Sequence, residues 1–139
     1  VTDGIKSVLS SLKVPYCIAT SSSLPRTTRA LEVVGLTEVF GSHIFTASQV
    51  KQGKPAPDLF LFAADAMGVK PQHCLVIEDS YFGVSAAITA NMDVIHYVGG
   101  GHIIDRLDNE LHRVSQVFPT VPVLSHWQNF DRLMPALVR

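Results

Sequence analysis

Net charge is almost absent from this chain: 11 Lys and Arg stand against 12 Asp and Glu, leaving −1 over 139 residues. No basic field therefore points to nucleic acid. No apolar run is long enough to span a bilayer, and no secretory segment opens the sequence. The expectation is a cytoplasmic protein with neither nucleic acid nor membrane as partner, and nothing marks an obligate protein partner. Cysteine is scarce. Cys17 and Cys74 lie far apart in apolar stretches, which argues against a disulfide or metal pair and predicts buried, reduced thiols. The six histidines show no HExxH-type spacing, so a zinc site is not expected and surface or half-buried rings are. Gly99-Gly100-Gly101 is no GxGxxG fingerprint and reads as a plain turn. There is no internal repeat and no low-complexity tract. A first residue of Val1 rather than Met suggests a chain cut or processed at its front.

What is present is 47% apolar and 17% charged, enough for one globular domain with a real core. Asp3 can cap a helix whose stripe is Ile5, Val8, Leu9 and Leu12, broken by Pro15. Residues 16–19 read as a short buried strand and residues 20–23 as a hydroxyl-rich turn. Pro25 suits the first turn of a helix running to about Val34, with Gly35 just past its end. Residues 43–46 form another strand. Leu59, Phe62, Ala63, Ala66 and Met67 make one helical face ended by Gly68. A strand at 74–77, a helix at 82–90 closed by Asn91, and a strand at 93–98 follow. Ile104, Leu107, Leu111 and Val114 suggest a helix, and Ser125-His126-Trp127-Gln128 a capping box for a last one, continuing through Phe130, Leu133 and Met134 to a break at Pro135. Short strands alternating with amphipathic helices predict an α/β fold, a Rossmann-like parallel sheet with helices on both faces.

In such sheets ligands collect at the carboxyl ends of strands. Thr20 and the Glu78–Asp79 pair both lie at such ends, and Lys54 lies in a loop on the same route. Each has two open readings. Residues 20–22 offer hydroxyls and backbone N–H groups before a helix, an oxyanion site; or Ser22 or Ser23 caps that helix. Lys54 is a point charge in a loop braced by Pro55 and Pro57, its bond to Pro55 open to either isomer; or it is a solvated surface lysine. Glu78 and Asp79 would repel unless a cation or protons neutralised them, and hard oxygen ligands suit Mg²⁺; or Asp79 or Ser80 caps the next helix.

Taken together and in this order, these residues resemble the haloacid-dehalogenase-like hydrolase superfamily, above all its sugar-phosphate phosphatases and β-phosphoglucomutase-like branch. Gly53-Lys54-Pro55-Ala56-Pro57-Asp58-Leu59-Phe60 is similar to the third motif of that family, residues 74–83 to the fourth, and residues 16–22 to the second. The resemblance covers the chain to about Ile103. It implies catalytic roles for Thr20 and Lys54: Thr20 and the Ser21 N–H bind the transferring phosphoryl group, and Lys54 neutralises that group and the nucleophile's carboxylate. Glu78 and Asp79 then ligate Mg²⁺, directly or through water. The reaction implied is hydrolysis of a small phosphorylated metabolite, such as a sugar phosphate, through an aspartyl-phosphate.

The first motif of the family, Asp-x-Asp, has no counterpart among the 139 residues. Asp3 stands before a helix rather than after a buried strand, and Asp105 and Asp108 are spaced wrongly. The resemblance therefore implies a single partial core domain over residues 1–139, without a cap and without its first, central strand. The expected consequences are a slot in the middle of the sheet and no phosphatase activity from the chain alone. A degenerate, non-catalytic phosphate- or partner-binding module and a phosphomutase of the same branch are the alternative functions. A phosphoacceptor receiver domain fits poorly, because there the acidic pair comes first and the lysine last.

Overall fold

The computed structural model describes residues 4–99, 113–130 and 134. The expectations for Asp3, Gly100, Gly101, Ile104, Leu107, Leu111, Leu133 and Pro135 lie outside them. Among the described residues five short strands form, β1 (Ile18–Thr20), β2 (Ile44–Thr46), β3 (Leu75–Glu78), β4 (Asp93–Tyr97) and β5 (Val123–Leu124). All their pairings are parallel, and they fall into two sheets, β1-β2 and β3-β4-β5. Among the described residues β1 pairs only with β2, and β3 only with β4. The interruption matches the slot that the family resemblance implies.

Helices α1 (Ile5–Ser11), α2 (Leu24–Val34), α3 (Thr37–Phe40), α4 (Asp58–Ala66) and α5 (Tyr81–Thr89) pack with these strands, and residues 113–117, with Val114 of the expected stripe, are helical as well. Their ends follow local chemistry. The Arg26 N–H donates to Ser23 Oγ at 3.3 Å and starts α2, and Gly35 closes it at φ 74°. The Gly83 N–H donates to Ser80 Oγ at 3.0 Å and starts α5. Asn91, just past its end, adopts φ 62°, the left-handed conformation anticipated for it.

Alternation along the strands sends side chains to two faces. Ile95 and Tyr97 of β4 pack with Leu124 and Phe130, joined by Val8 and Leu12 from the α1 segment. Val94 packs on the opposite face with Val84, Ala86 and Ala87 of α5. Under the other sheet, Phe45 meets Leu59 and Ala63 of α4, and Leu9, Leu31 and Leu36 form a further cluster. Helices thus cover both faces, as an α/β parallel sheet requires. Consecutive residues of α4 serve different clusters: Leu59 and Ala63 go to one, Phe60 and Ala64 to another.

Three local expectations need correction. Ser125 is not an N-cap: His126 stands at that position of the turn that follows. Residues 123–124 are drawn into the sheet, through His96 N–H to Pro122 O at 2.9 Å and Val98 N–H to Leu124 O at 2.9 Å; the 3₁₀ turn Trp127–Asn129 follows, and beyond it the Met134 N–H donates to Phe130 O at 2.8 Å. A capping box does form at Thr46, whose N–H donates to Gln49 Oε1 at 2.8 Å. The cysteines are free thiols but only half-buried. Burial, and secondarily Cys74, pushes the Cys17 thiol from 9.0 up to about 11. His96 departs from the expected surface or half-buried rings: it is 1% exposed.

Candidate active site

The carboxyl ends of β1 and β3 carry the groups of interest. β1 ends at Thr20 because its hydroxyl turns the chain: Thr20 Oγ1 accepts the Ser22 N–H at 3.1 Å. That bond uses an oxygen lone pair and leaves the Thr20 hydroxyl proton free to donate elsewhere. Ser21 follows, exposed, in the same turn. Ser23, rather than Ser22, caps α2. The capping reading and the anion-site reading are therefore compatible, because different residues carry them.

Lys54 is not a solvated surface lysine. Its loop folds back on itself through the Ala56 N–H to Gly53 O at 3.0 Å, and the Lys54–Pro55 bond is cis. The side chain is 11% exposed, and its Nζ donates to the Ala19 carbonyl at 3.2 Å and to Glu78 Oε2 at 2.5 Å. The Phe60 ring centroid lies 5.0 Å from the same nitrogen. One ammonium thus spans from the last turn of β1 to the end of β3.

Glu78 is the buried member of the acidic pair and Asp79 the exposed one. Desolvation raises the Glu78 carboxyl above its ordinary value, with the Lys54 charge and hydrogen bond opposing it. The Asp79 N–H reaches Glu78 Oε1 at 3.3 Å. Gly83, in the first turn of α5, lies against the Glu78 carboxyl so closely that a Cβ there would overlap it. Ser80, not Asp79, caps α5, which leaves the Asp79 carboxylate to face solvent. Thr20, Lys54 and Glu78 therefore converge on one edge through Ala19 and Lys54, with Asp79 beside them.

Among the described residues no group of three or more His, Cys, Asp or Glu could hold a metal ion. The donor set that does exist is two adjacent carboxylates, one of them exposed. That set fits Mg²⁺, which keeps several waters and takes one or two protein carboxylates; it does not suit a soft metal. Sequence reasoning missed His96, whose ring Nε2 lies 3.2 Å from the Asp79 carbonyl. Its only signal was a polar residue inside an apolar strand. Phe60 and Gly83 escaped notice as site residues for a similar reason, since each reads as ordinary helix.

A model of the haloacid dehalogenase-like hydrolases matches residues 1–91. Hexitol phosphatase A of Escherichia coli strain K12 is 35% identical over 116 residues, which is 81% of this chain and 52% of that protein. A fructose-1-phosphate phosphatase of the same organism is 41% identical over 81 residues, 58% of this chain and 43% of its own length. The chain thus spans about half the length of these relatives. The crystal structure of a hydrolase from Deinococcus radiodurans R1, with bound phosphate and sodium, superposes with a TM-score of 0.79 at 32% identity. That alignment covers 96% of this chain and 59% of the other. The chain belongs to the haloacid dehalogenase-like hydrolases.

Proposed function

We propose that these 139 residues are the core portion of a Mg²⁺-dependent phosphatase acting on a small phosphorylated metabolite of the sugar-phosphate kind. The observation that carries this reading is the Lys54 ammonium, held between the Ala19 carbonyl and the Glu78 carboxylate at the ends of two strands that each pair on one side among the described residues. Phosphoryl transfer is mostly positioning and charge neutralisation, and these are what the side chains can supply. Lys54 neutralises the phosphoryl oxygens. The Thr20 hydroxyl and the Ser21 N–H donate to them. Glu78 fixes where the ammonium sits.

Asp79, with Glu78, would hold the Mg²⁺. When bound, that ion offsets the negative charge of the phosphate and helps hold it in place. The nucleophilic aspartate of the proposed aspartyl-phosphate route comes from a segment outside these residues, entering between β1 and β3. The names of two relatives, a hexitol phosphatase and a fructose-1-phosphate phosphatase, support a sugar-phosphate class.

The test has two arms. In ³¹P NMR titrations with Mg²⁺ present, the chain should bind inorganic phosphate and Lys54→Met should lose that binding. Phosphate affinity untouched by Lys54→Met would overturn the site. The chain alone should not turn over p-nitrophenyl phosphate, and Mg²⁺-dependent turnover by it would show that the nucleophile lies within these residues.

A further inference from the structure

A histidine buried in a parallel strand needs a reason, because an imidazole loses its water on both nitrogens. His96 is 1% exposed and lies on β4, in register with Glu78 of β3. Alternation places both on the face covered by α5, where Val94 also packs. The two side chains therefore stand side by side, ~4.8 Å apart at the backbone. His96 Nε2 lies 3.2 Å from the Asp79 carbonyl oxygen. A carbonyl oxygen can only accept, so Nε2 carries the proton. The other nitrogen, Nδ1, is buried with no partner among the described residues.

A plain core position would be better filled by leucine or valine, which would leave no orphaned nitrogen. The structure accepts that cost, and the bond it gains acts on one peptide group, the one following the Asp79 side chain. That peptide sits between the end of β3 and the Ser80 cap of α5. Its orientation decides how Asp79 leaves the strand relative to Glu78.

We propose that His96 is a positioning residue for the acidic pair. Its Nε2–H fixes the Asp79 carbonyl, so that the Glu78 carboxylate stays turned to Lys54 while the Asp79 carboxylate faces outward toward the cation site. The inference rests on the magnesium reading, but the hydrogen bond can be tested apart from it.

The experiment compares His96→Leu, which fills the space without a donor, with His96→Gln, whose amide can stand in for Nε2–H. Amide hydrogen exchange over residues 79–83 should quicken in His96→Leu and stay near the wild-type rate in His96→Gln, while both variants melt near the wild type. Mn²⁺ affinity, read by electron paramagnetic resonance, should fall about tenfold or more in His96→Leu, as partners of metal ligands typically show, and recover in His96→Gln. Nitrogen-15 spectra of the wild type should show the Nε2–H tautomer at His96. Unchanged exchange in His96→Leu, or an Nδ1–H tautomer, overturns the proposal. If the wild type takes up no Mn²⁺ at all, the magnesium reading fails, and the exchange and tautomer measurements still decide the role of His96. If His96→Leu fails to fold, the His96→Gln exchange rates and the tautomer decide it.

Discussion

The two sheets present different chemistry at their carboxyl ends. The β1-β2 sheet ends in hydroxyls and backbone groups at Thr20 and Ser21, with no formal charge of its own. The β3-β4-β5 sheet ends in two acids, a buried histidine and a capping serine. One end is built to receive an anion and the other a cation, and Lys54 is bonded to both. Segregating opposite preferences across a gap lets each be satisfied without competing for the same atoms.

The largest effect should come from cutting the link. Lys54→Met leaves Glu78 buried without its counter-charge and should cost about 3 kcal/mol by urea unfolding. The loss should depend on pH. Burial already holds the Glu78 carboxyl above its ordinary value, so its contribution is greatest below the unfolded pKa and declines as pH rises through the folded one. Removing Lys54 moves the folded value further up. The deficit should therefore widen as pH rises above the ordinary glutamate range, and a deficit that shrank would show that Glu78 is not the strained partner.

Next comes the close approach on the acidic side. Gly83→Ala sets a methyl against the Glu78 carboxyl and should cost about 2 kcal/mol net of the helix propensity it gains. In a Glu78→Ala background the same change should become neutral or favourable; additive costs would locate the strain elsewhere.

The caps should sharpen the comparison because they are equivalent on the two sides. Ser23→Ala and Ser80→Ala should each cost about 1 kcal/mol. A much larger loss at Ser80 would mean that its turn is held by the site as well as by the helix.

The smallest effect concerns the thiols at the opposite ends of β1 and β3. With Cys17 raised to about 11, its thiolate population near pH 8 should be about a hundredfold below that of an ordinary cysteine. Iodoacetamide should therefore label it slowly, as mass spectrometry of the digested chain would show. Rapid labelling would mean that the strand end is open to water. Because the folded value is raised, any stability this thiol contributes is lost as pH climbs from 9.0 through about 11.

Much of this was legible in the sequence, for local reasons. Ser23, Gly35, Gly68 and Asn91 mark helix ends by side-chain and backbone chemistry that acts within four residues. The meeting of Lys54 with the acidic strand end followed from strand order alone. What stayed hidden depends on distant partners. β5 is two residues behind Pro122, held by bonds from His96 and Val98 that no local pattern announces. The burial of His96 hinges on one carbonyl 17 positions away in the chain. The box at Thr46 and Gln49 lies directly after the strand that was read there, Ile44–Thr46, and makes a single 3₁₀ turn too short to show a helical stripe.

Helix α4 gives Leu59 to the packing beneath β2 and its neighbour Phe60 to the layer behind β3, and the Phe60 ring also lies near the Lys54 nitrogen. Rolling this rod about its own axis would compress one layer while loosening the next and would shift the aromatic cushion below the ammonium. A repacking change far from any ligand, at Phe45 or Ala63, can thereby reach the anion seat as a torque rather than as a lost contact.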